Sequence, residues 1–578
     1  MARTVADDLW NMLIDAGVRR CYGIVGDALN PTIAALSKRD EIEFVHVRHE
    51  EWGAFAASAD ARLSGGPVAV CGTAGPGVTH LLNGLLDAKH ERSSVIAIAG
   101  DVETSIIDTA AVEEISPYDL FRPASLYTGR AVNPTQARAV FEQAVTISLQ
   151  QHGPTVIALP GDVASADSPL DEPLSYTRPA ESTVVPADSD VDAVAQLING
   201  ARKVLIFGGE GCRDAADAVA ALSDRIKAPV GYSLKGKNWL ETITPNAVGM
   251  TGLLGYGACH HCITEAEVIL MLGTDFPFPG FLDRGNATIV QVDVDPSHLG
   301  RRVAVAQAVH ADVGAFVDKL TPRVTQKSDD DFLAKATKIT ARWRKRLRHY
   351  VDDGETRSPI RPEYLAALLD EQLDDDAIVT VDTGTAVIWV AHQMTFGGQR
   401  QQIGSYSWAS MADASPYAFG ATKALPGRQV VAMCGDGGFS MLGISDLLTE
   451  VAHRSPVVHV VLNNSQLDFV NIEQQEAGLA PWGTDIPSTD YAAIATAMGA
   501  KGIRAEDPAR LRDQVAEALA HRGGPVVLDV LVDKYALAIP SSLSPEMAKD
   551  FTLSVFTRIT HGELGEVVHE GLDNVKLL

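Results

Sequence analysis

Gln429-Val430-Val431-Ala432-Met433-Cys434-Gly435-Asp436-Gly437-Gly438-Phe439 and, further on, Val457-Val458-His459-Val460-Val461-Leu462-Asn463-Asn464-Ser465-Gln466 decide how this chain folds. Each begins as an apolar run of strand length, and between them Met441, Leu442, Ile444, Leu447, Leu448 and Val451 share one helical face. The pattern predicts strand, Gly-rich turn, helix, strand. In a parallel sheet both strand ends open on the same edge, so Asp436 and Asn464 converge although 28 positions separate them.

Gly435, Gly437 and Gly438 let the backbone approach a ligand closely, and the amides at the helix start suit a diphosphate. One carboxylate and one amide oxygen are thin coordination for a bare cation. They suit Mg²⁺, which takes oxygen ligands and draws some of them from phosphate. A Gly-Asp-Gly-Gly alone would be read as a tight turn; the second strand ending in Asn463-Asn464 makes it a site.

At 578 residues the chain is long enough for three or four domains. Its 46% apolar and 21% charged residues are those of a soluble globular protein. With 48 basic against 74 acidic residues the net charge is −26, which argues against nucleic acid as a partner and against electrostatic attachment to an anionic membrane. No apolar run of 18 residues and no basic-then-apolar leader is found, so a cytoplasmic location is expected. Cys259-His260-His261-Cys262 has metal-ligand spacing but no second pair, and the six scattered cysteines are expected to be incidental reduced thiols.

The predicted class is α/β, with three doubly wound parallel-sheet domains at 1–162, 189–325 and 358–535, then a tail at 536–578. In the first domain the runs Arg20–Ile24, Ile42–Val47, Pro67–Cys71 and Val95–Ala99 read as strands, and Gly161–Pro186 as a linker. Glu50 stands where a strand gives way to an Ala-rich helix small enough to pack closely. Taken alone it is a helix-start carboxylate, favourable by about 0.3–1 kcal/mol with the dipole. In the middle domain Gly208-Gly209-Glu210-Gly211, Gly249–Gly257, Gly273–Pro277 and strand-closing Asp293 follow at βα spacings, and Asp293 stands where a ribose hydroxyl is usually taken. Thr325–Arg357 reads as a charged surface helix with Trp343, Leu347 and Tyr350 on one side. In the third domain Asp382-Thr383-Gly384-Thr385 offers a glycine and hydroxyls to a diphosphate.

These motifs in order, Tyr22–Asp27, Arg48–Glu51, Gly75–Gly77, the middle-domain series and the Gly435/Asn464 pair, resemble the thiamine-diphosphate superfamily of decarboxylases, acetohydroxyacid synthases and pyruvate oxidases. The match is nearest to its flavin-dependent pyruvate:quinone oxidoreductase branch and runs from about Val5 to Pro540. The resemblance implies that Asp436, Asn464 and the main-chain carbonyl of Gln466 hold Mg²⁺. It further implies that Gly26, Thr73, Gly384, Thr385, Ala409, Met411, Gly435, Gly437, Gly438 and Leu467 contact thiamine diphosphate. Met411 would be the wedge between the two rings of that cofactor, and Glu50 the catalytic group on its pyrimidine N1′. FAD is implied on Gly208, Gly209, Thr251, Gly252, Leu253, Leu254, Gly273, Thr274, Asp275, Phe276, Pro277 and Asp293. Val112, Glu113, Val387 and Phe469 are implied around the substrate.

Two departures from the family pattern stand out. The spacing from Gly435 to Asn464 is one residue long, which places an insertion in Leu442–Asp446. Val112-Glu113-Glu114 stands where relatives commonly carry Phe-Gln-Glu, which predicts a larger, more acidic pocket and weak use of pyruvate. The leading expectation is oxidative decarboxylation of a 2-oxo acid through FAD to a quinone or oxygen. The alternatives are an acetohydroxyacid-synthase-like carboligase with structural FAD, a non-oxidative decarboxylase, and a non-catalytic paralogue. Glu50 and Asp436 come from different subunits in the family, so a homodimer or homotetramer is expected. Apolar stripes in the tail Lys549–Leu578 predict weak peripheral contact with the inner face of the cell membrane.

Overall fold

Val- and Ile-rich runs with both faces apolar can be buried only inside a parallel sheet covered by helices on each side, and three such sheets form. The computed structural model describes residues 2–180, 182–282 and 285–537. The expected tail segment from Lys549 lies outside the described residues. The first sheet comprises β1 Arg20–Gly23, β2 Glu43–His46, β3 Val68–Gly72, β4 Val95–Asp101, β5 Tyr127–Arg130 and β6 Thr155–Pro160. Its order is β2-β1-β3-β4-β6-β5, parallel throughout.

The second sheet contains β7 Val204–Gly208, β8 Val230–Tyr232, β9 Ala247–Met250, β10 Tyr256–Gly257, β11 Val268–Leu272, β12 Thr288–Asp293 and β13 Gln307–His310. Its order is β10-β9-β8-β7-β11-β12-β13, with only the short β10 antiparallel. The third sheet contains β14 Ile378–Val381, β15 Gln401–Ile403, β16 Val430–Gly435, β17 Val457–Asn463, β18 Lys501–Ala505 and β19 Val526–Leu531, ordered β15-β14-β16-β17-β19-β18 and parallel. The strand order changes direction between β1 and β3, between β7 and β11, and between β14 and β16. Crevices at the carboxyl ends of such strands are where open α/β sheets bind ligands.

The Ala-rich helix Glu50–Ser64 is the joint between the first and third domains. Every residue from Trp52 to Ala61 is buried. The helix lies against Ala414–Ala424 so closely that a Cβ on Gly420 would sit 2.2 Å from the Ala56 carbonyl oxygen. Tyr22, Trp52 and Phe55 of the first domain share one apolar cluster with Tyr417, Phe419 and Phe439 of the third. The middle domain covers the edge of the third sheet: Asn238 donates to the Gln402 carbonyl at 2.8 Å and accepts from the Gln402 N–H at 2.9 Å, satisfying a strand edge that would otherwise be open.

Three local expectations change. The chain after residue 162 keeps packing on the first domain as the short helix Gly161–Ser165, and Leu174 is buried in that domain's core. The charged helix is Asp331–Leu347; Trp343 and Leu347 pack on the middle domain, and Tyr350 lies beyond the helix end, buried beneath the Arg361 guanidinium. A five-residue π-helical turn, Phe439–Gly443, precedes the helix Ile444–His453. A π-turn takes one residue more than an α-turn, and this one overlaps the expected insertion, Leu442–Asp446, at Leu442 and Gly443. Among the described residues no helix is long and apolar enough to cross a membrane.

Candidate active site

At the third sheet's reversal, β16 ends on Gly435 and Asp436 is buried, 2% exposed. Its Oδ1 accepts from the Gly437 N–H at 2.8 Å, and its Oδ2 from the N–H groups of Asn464 and Ser465 at 3.1 and 2.6 Å. Burial pushes the Asp436 carboxyl up to about 6 despite these bonds. Asn464 follows β17, and its Oδ1 accepts from the Gln466 N–H at 3.1 Å. Gln466 bridges to Asp485 through the N–H groups of Leu467 and Ile486, a pairing that leaves the Gln466 carbonyl out. A buried carboxylate, an amide oxygen and a spare carbonyl are the donor set of a hard cation. No cluster of three His, Cys, Asp or Glu stands elsewhere as a metal site among the described residues, and all six cysteines are buried and free.

Asp382, at the end of β14, organises the same reversal and was not singled out by sequence. Its Oδ1 accepts from the Ala414 N–H at 2.8 Å and its Oδ2 from the Gly435 N–H at 3.2 Å, and burial pushes its carboxyl up to about 7. Gly438 has to be glycine, because a Cβ there would lie 2.2 Å from Asp382 Oδ2. Beside it the helix Thr385–Gln393 begins after Gly384, and its first residue lines the same cavity as Asp436.

The loop from Ser405 to Asp413 carries Met411 and holds two alanines in the left-handed region, Ala409 at φ +59° and Ala412 at φ +73°. Met411, Ala409, Gly384, Thr385, Val387, Gly435, Asp436, Gly437, Gly438, Asn464, Gln466, Leu467 and Phe469 all line one cavity of about 1440 Å³. Thr251, Gly252, Leu253, Leu254, Gly273, Thr274, Asp275, Phe276, Pro277 and Asp293 line it from the middle domain. Ordinary ligand pockets run to about 1,000 Å³; this one has room for two ligands.

Gly208 and Gly209 do not border the cavity. Gly209 packs on the Gly273 backbone, 2.5 Å from its carbonyl oxygen to a would-be Cβ, and Gly208 makes room for the Leu240 and Cys212 side chains, while Glu210 and Gly211 face the opening. The Asp275 carboxylate is paired with Arg301, and the Arg302 guanidinium donates to the Asp275 carbonyl at 2.9 Å. Asp293 Oδ1 accepts from the Asp295 N–H at 2.9 Å and lies 3.4 Å from His298 Nδ1.

Glu50, Gly26, Thr73, Val112 and Glu113 form a second locus on the first sheet. Glu50 is the first residue of its helix, 5% exposed, and its Oε2 lies 2.9 Å from His80 Nδ1; the His80 ring stacks on His49 with centroids 4.5 Å apart. Gly26 packs on Thr73 across the β1/β3 reversal. Glu113, at φ +66°, lies on Gly75, whose Cβ would meet Glu113 Cα at 2.9 Å, while Val112 is 89% exposed. Glu114 is occupied by its own loop, accepting from the Asp108 and Ala111 N–H groups. None of the five predicted residues here borders the cavity that holds Asp436 in the same chain.

Three family models match the chain in order: "Thiamine pyrophosphate enzyme, N-terminal TPP binding domain" over 3–120, the central domain over 191–320 and the C-terminal TPP binding domain over 382–530. A "putative thiamine pyrophosphate-containing protein" of Bacillus subtilis, YdaP, is 32% identical across 95% of both chains. The chain belongs to the thiamine pyrophosphate enzyme family. Within that family it is 29% identical to the pyruvate oxidase of Lactiplantibacillus plantarum, over 89% of this chain and 86% of that one. It is 26% identical to the acetolactate synthase isozyme 1 large subunit of Escherichia coli, over 94% and 97%. As a thiamine pyrophosphate enzyme, it has residues that fit the cofactor: a buried carboxylate answered by backbone amides suits a cation-bridged diphosphate, and Met411 overhangs Gly437, whose would-be Cβ lies 4.0 Å from Met411 Cε.

Proposed function

We propose that the protein oxidatively decarboxylates a 2-oxo acid, with thiamine diphosphate and Mg²⁺ at Asp436, Asn464 and the Gln466 carbonyl, and FAD on the Thr251–Leu254 and Gly273–Pro277 loops. The observation that carries this reading is the continuity of the cavity: the third domain's carboxylate site and the middle domain's loops open into one space, with Phe469 on its lining. Electrons leaving the substrate carbon then have a short route to a flavin. When bound, thiamine diphosphate supplies the nucleophilic carbon and electron sink of decarboxylation.

The chain's own residues divide the remaining work. Asp436 and Asn464 hold the cation, and the helix starts at Thr385 and Asp436 receive the diphosphate. Met411 holds the cofactor's rings apart, and Val387 and Phe469 exclude water around the substrate. Glu50 is the acid–base group, its Oε2 steadied by His80. Because Glu50 lies outside its own chain's Asp436 cavity, a second copy supplies it, making the working unit at least a homodimer.

The test is reduction of a soluble quinone by a panel of 2-oxo acids, with and without thiamine diphosphate, Mg²⁺ and FAD. Cofactor-dependent quinone reduction is expected. A 2-hydroxyketone product without quinone reduction would instead make the protein a carboligase like its acetolactate synthase relatives.

A further inference from the structure

A backbone with two left-handed alanines in four residues persists only where its surroundings over-determine it; the Ser405–Asp413 loop is closed by its own bonds, Ser405 N–H to Asp413 Oδ2 at 2.7 Å and Ala409 N–H to the Ser405 carbonyl at 2.7 Å, while its Ser407–Ser410 stretch is held from the other two domains. Glu91, at the end of the helix Pro76–His90 in the first domain, accepts from the Ser407 N–H on Oε1 at 2.6 Å. Its Oε2 lies 2.7 Å from Lys235 Nζ of the middle domain and 3.2 Å from Arg62. Lys235 donates to Ser407 Oγ at 2.7 Å, and Arg62 to the Gly404 carbonyl at 3.2 Å. Two helical turns before Glu91, Asn83 accepts from the Trp408 indole at 2.8 Å and donates to Ser410 Oγ at 3.3 Å. Burial alone would push the Glu91 carboxyl up, but Lys235 and Arg62 outweigh it and hold it below the usual glutamate range.

We infer that Glu91 and Lys235 are positioning residues: a three-domain clamp on Ser407 that sets the place of Met411 over the cavity. Neither touches the cation site, and both line the cavity at the junction of the two ligand regions. The clamp is where the middle domain meets the Met411 loop. Lys235 follows β8, and the neighbouring Leu234 carbonyl accepts from the Gln402 side chain at 2.9 Å. The consequence for cofactor binding rests on the thiamine diphosphate reading above; the clamp itself does not.

Two measurements on the full chain test this, using Glu91→Asp, which keeps the charge but shortens the reach, and Lys235→Met, which leaves Glu91 paired with Arg62. The first is amide hydrogen exchange of the unliganded protein. Exchange in a peptide covering residues 404–411 should quicken about 10-fold in either variant, the size of one hydrogen bond to a charged group, with a peptide over 436–443 unchanged. The second is calorimetric affinity for thiamine diphosphate and, separately, for inorganic pyrophosphate, each with Mg²⁺. Thiamine diphosphate should bind about 10-fold more weakly and pyrophosphate as before, because only the former meets Met411. Unchanged exchange at 404–411 in both variants overturns the clamp. Faster exchange with unchanged thiamine diphosphate affinity overturns its positioning role. Faster exchange in a protein that binds no thiamine diphosphate would uphold the clamp and refute the cofactor reading.

Discussion

Glu50 Oε2 and His80 Nδ1 lie 2.9 Å apart on two adjacent helices, the carboxylate buried and the imidazole half exposed, so Oε2 is fixed by the ring while Oε1 stands 3.2 Å from where a Gly77 Cβ would lie. Glu50→Gln is expected to retain thiamine diphosphate binding and lose roughly 10²–10⁴ in turnover, the usual scale of acid–base catalysis. Calorimetry for the cofactor and steady-state rates check the two halves; a wild-type rate would leave Glu50 as a helix-start residue only.

Asp436→Ala should abolish Mg²⁺-dependent binding of thiamine diphosphate, because the remaining neutral donors, Asn464 and the Gln466 carbonyl, cannot offset the charge of the cation. Fluorescence titration with and without Mg²⁺ reads this out. Full affinity in the variant would place the cation elsewhere.

Much of this was legible in the sequence because it is local. Continuous apolar runs gave the strands around Asp436 and Asn464, glycines marked the turns, and the alanines of Glu50–Ser64 marked a helix that two domains share. What was not legible depends on distant partners. Asn83, Glu91, Lys235 and Ser407 meet only after three domains assemble, and nothing in the spacing of 91 and 407 indicates an N–H···O bond. Tyr350 fitted a helical stripe, yet stacking beneath Arg361 draws it into a turn beyond the helix. Gly208 and Gly209 carried a nucleotide-like pattern, but in the fold Gly208 makes room for Leu240 and Cys212 and Gly209 for the Gly273 backbone.

The first-to-third domain contact predicts a pH dependence. Arg48 donates its backbone N–H to Asp446 Oδ1 at 2.7 Å across this joint, and burial pushes the Asp446 carboxyl up to about 6. The folded chain therefore binds more protons than the unfolded chain from about pH 4 to 6, so this contribution to stability is greatest below the window and is lost as pH rises through it. Asp446→Asn, which keeps the acceptor, should flatten the dependence by on the order of 3 kcal/mol between those limits. Urea unfolding of unliganded protein at pH 4 and pH 7 measures it. Parallel profiles for the two proteins would contradict the assignment.

Glu113 is held by its contact with Gly75, on the same locus as Glu50. If its charge repels a small anionic substrate, Glu113→Gln should raise kcat/KM for pyruvate several-fold, and the gain should shrink at high salt. An unchanged value would remove Glu113 from the substrate's surroundings.

The proposed reaction requires a 2-oxo acid bound near Asp436 to reduce a flavin on the middle-domain loops through one cavity. The most direct measurement is the visible spectrum of protein reconstituted with thiamine diphosphate, Mg²⁺ and FAD, mixed anaerobically with 2-oxo acid, alongside Asp436→Ala treated identically. Bleaching of the flavin in the wild type within a turnover, absent from the variant, is the predicted result; a flavin that stays oxidised while the 2-oxo acid is consumed would contradict it.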